Sequence, residues 1–589
     1  MKKHSKFLAL VLALTVLLAF AMPITANAAQ TTSTAISTGS ITINPPASGL
    51  LNLTAANFKG YKLFNLVAIN GTIPYTPYEP GVDPSTVGNS AHFVYEPAAW
   101  LASFLTWAAG RYAAAANPYG TDVELFREIL QDHKFDDAYM VQLAKDLAIY
   151  ESLGGTISTA IPAAQAGTSI KFNGLDYGYY LVVGTAYRND RATLDTAKDA
   201  VITRGMLFNI PEEVIVNGKV TALEKDPERT LKADAPTLDK DVMDDDWGKS
   251  TTKNIGDIID YRITVKIPNE HSMKAYDLST YVFKIHDTMS AGLTLEKSTG
   301  TFSKADLTVT VNGTPLAAAD YDLQTGTTPT DWFTIQILPA TFVAGRVGAG
   351  DTIVVTYKAR LNKNAIIDDG GNKNTAYLEY SNNPHAGGTG QTPEVEPKVY
   401  TFDIHVKKVD GEKDTIPLAG AKFKLYRDNA GTAAANPIEF VAHALNEYRI
   451  PDATEGAVTK VTEVTTDATG AIRFLGLDAG VYWLEESQAP TGYNKLANKI
   501  KIEILKNGFV RFFNEDQDLT ASQKGWVNVD VCDGDDNEIK IKNHTGGILP
   551  GTGGIGTYLF FGGGAVLAFL FILALVAYKR KKTLSALNG

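Results

Sequence analysis

The sequence predicts an exported, mainly β protein built of tandem β-sandwiches, the first of them carrying helical insertions. Three observations lead there. The chain opens on an export signal and closes on a membrane anchor. Its middle is dominated by short strand-like runs between Gly, Asn and Asp turns. Helical spacing is confined to one stretch in the first third of the chain.

The two ends come first. Met1-Lys2-Lys3-His4-Ser5-Lys6 is basic, Phe7 to Phe20 is apolar, and Ala26-Asn27-Ala28 offers the small residues that a signal peptidase accepts. Residues 1–28 therefore read as a signal peptide, with Ala29 as the mature start; the apolar run is too short for a bilayer. Near the other end, Tyr558 to Tyr578 is apolar or glycine throughout and Lys579-Arg580-Lys581-Lys582 follows. That is the pattern of a span held by a basic cytoplasmic stop. The pentapeptide Leu549-Pro550-Gly551-Thr552-Gly553 stands just ahead of it.

Composition narrows the function classes. The chain of 589 residues carries a formal net charge of −11 with no basic block outside its termini, which argues against a nucleic-acid partner. Cys532 is its one cysteine, so no intramolecular disulfide can form despite the extracellular address. The nine histidines are scattered without zinc-ligand spacing. Asp244-Asp245-Asp246 lacks the glycine and spacing of a calcium loop and reads as a solvated turn. No cofactor is expected.

The segment 29–229 is mixed. Ile41-Thr42-Ile43 and Tyr179-Tyr180-Leu181-Val182-Val183 read as strands, while Ala98 to Ala115 and Asp122 to Ser152 read as helices, with Leu125, Ile129, Met140, Leu143, Leu147 and Ile149 at helical spacing. A second segment, 230–397, is strand-like, as in Ile258 to Val265 and Thr352 to Tyr357, and a third, 398–545, is again strand-rich. Lys232-Ala233-Asp234-Ala235-Pro236 and Gly387 to Pro393 are linker-like. Repeated short strands with turn signals indicate immunoglobulin-like sandwiches. Phe172 to Tyr180 matches Phe474 to Tyr482 at the same internal spacing, so the first and third segments share a topology. Residues 546–589 complete the chain.

Strand parity then exposes an unusual set of polar residues. Side chains alternate between faces, so in Thr401 to Lys408 the apolar face of Phe402, Ile404 and Val406 ends in Lys408. Tyr482 and Leu484 share a face with Glu486, and Ile539 and Ile541 with Asn543. Burial disfavours charge, leaving a lysine amine nucleophilic and a carboxyl protonated. Attack of the amine on the asparagine side-chain carbon, with loss of ammonia, leaves an isopeptide bond. The second segment repeats the pattern: Leu238, Lys240 and Val242; Phe283, Ile285 and Asp287; Asn374, Ala376, Leu378 and Tyr380, with Asn382 on the same face as Asn374. In the first segment Gly184 takes the place of Glu486 along the repeat and the first strand has no lysine, so no bond is expected there.

Several of these motifs resemble those of backbone pilins of Gram-positive sortase-assembled pili. Leu549 to Gly553, with the span and basic tail, resembles their Leu-Pro-x-Thr-Gly sorting signal. The resemblance implies that a sortase cysteine attacks the Thr552 carbonyl, releases Gly553 onward and passes the acyl group to an amine. Tyr482, Leu484, Glu486, Ala489, Pro490, Gly492 and Tyr493 resemble the pilin E-box. With Lys408-Val409-Asp410 and Leu418 to Phe423 they mark a collagen-adhesin B-type domain, implying Lys408 as nucleophile, Asn543 as electrophile and Glu486 as acid. Pro236 to Lys240, His286 to Thr294 and Asn374 to Asn382 resemble the collagen-adhesin A-type domain, implying Lys240 and Asn374 as the bonded pair and Asp287 as acid, with Asn382 competing. Val216 to Lys225 stands where shaft pilins carry their linking lysine, although only Val220 and Lys225 match; Lys219 and Lys232 remain alternatives.

The resemblance implies a non-enzymatic structural subunit joined head-to-tail through Thr552 and a lysine of the next copy. Its implied partners are a pilus-specific sortase, identical subunits, minor tip or basal pilins, peptidoglycan and a host surface ligand. The alternative is a monomeric wall-anchored adhesin that binds a host matrix protein.

Overall fold

The strand-like runs and the helical stretch become separate layers. The computed structural model describes residues 38–585 apart from 47–48, 71–91, 115, 134–136, 156, 158–159, 163, 167, 204, 218, 232, 368–369, 385–386, 428–435, 514–525, 530–538 and 546–554. The expected signal peptide, Lys232, Cys532 and Leu549 to Gly553 lie outside the described residues. The chain divides into two units, one of residues up to 186 together with 203–231, the other of 187–202 together with 233 onward.

In the first unit β1 (Thr38–Asn44) and β2 (Leu51–Asn70) precede three helices, α1 (Leu101–Arg111), α2 (Val123–His133) and α3 (Asp137–Ser152). The helices form because Leu101, Phe104, Leu105 and Ala108 on the first, and Leu143 and Leu147 on the third, recur at helical spacing and bury one stripe. Leu125 belongs to that spacing in the sequence but is exposed, and Phe126 and Leu130 face inward instead. Among the helices the buried Asp146 accepts hydrogen bonds from the Tyr112 and Tyr119 hydroxyls and from Gln142 Nε2 at 2.5, 2.6 and 2.8 Å, a polar node that periodicity does not reveal.

Further strands follow: β3 (Ser169–Asp176), in a sheet with β1, and β4 (Gly178–Arg188), in a sheet with β2, then β5 (Glu212–Val216), β6 (Lys219–Glu224) and β7 (Glu228–Thr230). β1 pairs antiparallel with β3, Ile41 opposite Phe172, and parallel with β7, Thr42 opposite Glu228. β5 and β6 form a separate hairpin.

The second unit holds two successive pairs of sheets. In the first pair, β8 (Thr237–Met243), β9 (Ile258–Lys266) and β12 (Thr352–Leu361) belong to one seven-stranded sheet, while β10 (Phe283–Met289), β11 (Trp332–Ile337) and β13 (Asn372–Ser381) belong to another. The second pair sets β14 (Phe402–Asp410), β16 (Ala471–Leu477) and β20 (Ile539–Asn543) in a five-stranded sheet. Opposite it, a six-stranded sheet contains β15 (Lys422–Tyr426), β17 (Gly480–Gln488), β18 (Ile500–Ile504) and β19 (Val510–Phe513). β9 and β12 alternate buried with more exposed residues along their whole length. Asp244 and Asp245 are not left to solvent alone: Lys506 Nζ donates to them at 2.6 and 3.0 Å.

The sequence repeat is a repeat of structure. Tyr180 donates its hydroxyl hydrogen to Asp176 O at 2.5 Å, and Tyr482 does the same to Asp478 O at 2.7 Å, four residues back in each case. A last helix, α4 (Ile555–Ser585), spans 31 residues. Among the described residues no helix is long and apolar enough to cross a membrane; the apolar run Tyr558 to Tyr578 expected to form a span lies within α4.

Candidate functional site

In the third predicted domain, β14 and β20 are the first and last strands, and they lie side by side and parallel, with Lys408 opposite Ile541 and Asp410 opposite Asn543. Phe402, Ile404 and Val406 on one strand and Ile539 and Ile541 on the other are buried, so the same parity buries Lys408 and Asn543. Lys408 Nζ donates to Ile541 O at 2.9 Å. Glu486 reaches in from β17 in the facing sheet. Its Oε1 accepts from Asn543 Nδ2 at 2.8 Å and its Oε2 accepts from the backbone N of Leu496 at 2.7 Å. The Asn543 carbonyl oxygen is buried and accepts no hydrogen bond from the described residues. Which end of an asparagine amide is oxygen follows from the network around it. If Glu486 is protonated, half a turn of the amide lets that acid donate to the carbonyl and polarise it.

The E-box residues close this site. Gly492 has φ +90°, a conformation in which a Cβ is strained. The turn it allows brings the backbone of Tyr493 to a bridge with Thr545 and the Tyr493 hydroxyl to Asp410 Oδ2 at 2.6 Å. The loop thus binds the ends of both strands that carry Lys408 and Asn543.

The second domain brings its residues together differently. Lys240 on β8 and Tyr357 on β12 come from one sheet, Asp287 on β10 and Asn374 on β13 from the other, and all four are buried. Lys240 Nζ meets Asp287 Oδ2 at 2.5 Å. The same oxygen accepts from the Tyr357 hydroxyl at 2.6 Å, and that hydroxyl accepts from Asn374 Nδ2 at 2.9 Å. Asn374 Oδ1 and Asp287 Oδ1 are buried and have no hydrogen-bond partner among the described residues.

Loss of hydration lowers the Lys240 pKa to about 8 against the opposing pull of Asp287. Burial raises that of Asp287 against the pull of Lys240 and Tyr357. Both directions favour a neutral amine beside a protonated carboxyl, the protonation state that nucleophilic attack on an amide needs.

Sequence parity left Asn374 and Asn382 open. Asn382 is occupied elsewhere, its Nδ2 donating to Ala200 O at 2.9 Å. A further buried asparagine, Asn372, is committed to the backbone of Ile366 and Val399. Tyr357 is the participant that sequence reading missed. Its inward parity was visible, but an aromatic residue on a buried face is ordinarily core packing.

In the first unit, a Cβ built on Gly184 would meet the Phe58 ring at 2.4 Å, so no acid fits there, and β1 contains no lysine. A buried lysine that parity did not single out, Lys62, lies over the Tyr180 ring and pairs with Asp176 at 3.8 Å. Lys225 is exposed, yet its backbone is fixed: its carbonyl accepts from Ser40 N at 3.1 Å, and Asp226 Oδ1 accepts from Ser40 Oγ at 2.7 Å. Lys219 is exposed at the start of β6.

Comparison with known proteins adds the following. Residues 255–384 match the family model described as Gram-positive pilin backbone subunit 2, Cna-B-like domain, and residues 402–516 match that described as SpaA, prealbumin-like fold domain. The first description differs from the A-type resemblance read in the sequence. The trypsin-resistant surface T6 protein of Streptococcus pyogenes is 26% identical over 401 residues, covering 60% of this chain and 70% of that protein. The structure of the T6 backbone pilin of serotype M6 Streptococcus pyogenes aligns with a TM-score of 0.47 at 17% identity, over 87% of this chain and 99% of that one. The full-length major pilin SpaD of Corynebacterium diphtheriae aligns with a TM-score of 0.40 at 18% identity, over 87% and 98%.

Proposed function

We propose that this chain, a structural backbone subunit of Gram-positive pili, is joined head-to-tail by a sortase that transfers Thr552 of one copy to Lys225 of the next. In the same reading, the second and third domains each seal themselves with one isopeptide bond, Lys240–Asn374 and Lys408–Asn543, with Asp287 and Glu486 as the acids. The observation that carries the self-sealing part is the burial, in each domain, of a lysine, a carboxyl and an asparagine: Lys240 is linked to Asn374 through Asp287 and Tyr357, and Lys408 lies on the strand beside that of Asn543, whose amide Glu486 holds. An unreacted buried lysine would be a costly residue to keep twice in one chain.

The linkage part draws support from Lys225, an exposed amine on a backbone pinned to β1. Joining the C-terminal end of one copy to the first unit of the next is a heterologous contact that repeats without closing, which makes a filament. Peptidoglycan attachment of the last subunit, and minor tip or basal subunits, follow from the same reading.

Lys225→Arg tests the linkage, since it keeps the charge and removes a usable nucleophile. Cell-wall extracts should lose the ladder of SDS-resistant polymers and retain folded monomer, and digests of native fibres should contain a Thr552 peptide branched onto Lys225. A branch at Lys219 or Lys232 would move the site and leave the shaft in place. Absence of any branched peptide would favour the monomeric adhesin. For the seals, the purified ectodomain should be short of its sequence mass by two ammonia molecules, and Asp287→Ala or Glu486→Ala should each restore one.

A further inference from the structure

The two clusters differ in how the acid reaches the amide. Glu486 touches Asn543 directly. Asp287 is one methylene shorter, and the Tyr357 hydroxyl stands between it and Asn374, hydrogen-bonded to both. We propose that Tyr357 is a catalytic residue of the second domain's sealing reaction, relaying the proton of Asp287 to the Asn374 amide. The inference rests on the reading of Lys240 and Asn374 as a bonded pair.

The surroundings suit such a relay. Tyr357 is buried, its ring stacks on Tyr261 with centroids 5.6 Å apart and meets Phe333 edge-on at 4.9 Å, so its hydroxyl is held in place. Lys240 Nζ lies 5.4 and 5.8 Å from the centroids of the Tyr261 and Tyr357 rings. Tyr261 offers a contrast: it is also buried and lies close to Asn374, but no hydrogen bond joins its hydroxyl to Asp287, so it is not placed to pass on the acid's proton.

The proton inventory balances without an outside reagent. With the Asn374 amide turned so that its oxygen faces Tyr357, neutral Lys240 Nζ adds to Cγ. The Asp287 proton passes to the Tyr357 oxygen while the Tyr357 proton passes to Oδ1. The Asp287 carboxylate then takes one proton from Nζ and delivers it to Nδ2, which departs as ammonia when the Cγ–Nδ2 bond breaks. The proton on Oδ1 returns through Tyr357 to Asp287 as the carbonyl re-forms. One amide has replaced another, ammonia has left, and Asp287 and Tyr357 end as they began. Donors placed where charge develops are worth far more in a dry site than in water.

The test is an intact-mass time course on freshly purified full ectodomain. The parent should lack two ammonia molecules, and peptide mapping should assign one to Lys240–Asn374. Tyr357→Phe should lose the third domain's ammonia at the parent rate and the second domain's about 100-fold more slowly or not at all, while Tyr261→Phe should lose both as the parent does. The third domain's bond and the near-ultraviolet circular dichroism report whether the variant has folded. Adding Asp287→Glu to Tyr357→Phe should restore the second bond, because the longer acid reaches the amide directly, as Glu486 does. The relay is overturned if Tyr357→Phe seals at the parent rate, if Tyr261→Phe is the slow variant, or if the folded double variant fails to recover. A parent that seals its third domain but leaves Lys240 and Asn374 unreacted would refute the bonded pair itself, and the relay with it. That outcome is distinct from a sealed parent with an indifferent Tyr357.

Discussion

Lys408→Met isolates what the proposed bond of the third domain contributes. Methionine keeps most of the alkyl volume of lysine and carries no charge, so the variant opens little cavity and leaves no buried ammonium. Without the bond, the chain between Lys408 and Asn543 regains its freedom when unfolded. That loop is on the order of 130 residues, which the chain-entropy relation for a covalent cross-link converts to about 5 kcal/mol. The hydrogen bond from Lys408 Nζ to Ile541 O is lost as well, worth about 1 kcal/mol. For a domain of this size each kcal/mol moves the melting temperature by about 2–4 °C. Calorimetry of the ectodomain should therefore show one transition displaced downward by about 12–24 °C, with the intact mass short of the variant's own sequence mass by one ammonia instead of two. Trypsin should cut this domain and spare the second. A transition that moves by less than about 2 °C, below what even 1 kcal/mol accounts for, in a variant whose mass shows the bond gone, would refute the entropic reasoning.

Three other outcomes follow from the geometry. Asn374→Ala cannot seal the second domain and leaves Lys240 a free amine with its pKa lowered from 10.5 to about 8; between those values the unfolded chain holds a proton that the folded one has shed. Its unfolding free energy should then rise with pH from about 8 upward, by about 3 kcal/mol in all, and a flat urea-denaturation profile across that window would contradict the assignment. Gly184→Ala should destabilise the first unit by about 1–3 kcal/mol, since its Cβ would meet the Phe58 ring at 2.4 Å; an unchanged urea midpoint would refute the overlap. Gly39→Ala places a Cβ 2.0 Å from Lys225 O, so it should weaken polymer formation more than it weakens folding, as read by ladder intensity against monomer melting temperature.

Much of this was legible because period-two alternation is a strict rule in a sandwich with one buried face. Lys408, Glu486, Asn543, Lys240, Asp287 and Asn374 each occupy an inward position that their apolar neighbours announce, and all six are buried. What parity lacks is the third dimension. It cannot say that Lys408 and Asn543 sit on adjacent strands of one sheet while Lys240 and Asn374 face each other across two, because pairing depends on register. It passes over Tyr357 because a functional tyrosine and a packing tyrosine occupy the same positions. It likewise misses the carboxylate of Asp146 among the helices, where tertiary partners rather than spacing set the environment. The helical stretch was recognised, yet Leu125 shows that a face one residue wide of the stripe turns outward.

The parallel contact between β14 and β20 has a mechanical meaning. Tension arriving at the start of the third domain and leaving at its end loads these two neighbouring strands in shear. An amide between Lys408 and Asn543 would carry that tension across a single side-chain link, leaving everything between them slack and outside the load path. Were the bond absent, a yielding domain could pay out on the order of 130 residues of extended chain, roughly 450 Å of new contour length. With the bond, the domain has almost no contour length to give. A filament of such subunits would behave as an inextensible cable rather than as a spring, holding its length under drag until a covalent bond or the anchoring wall fails.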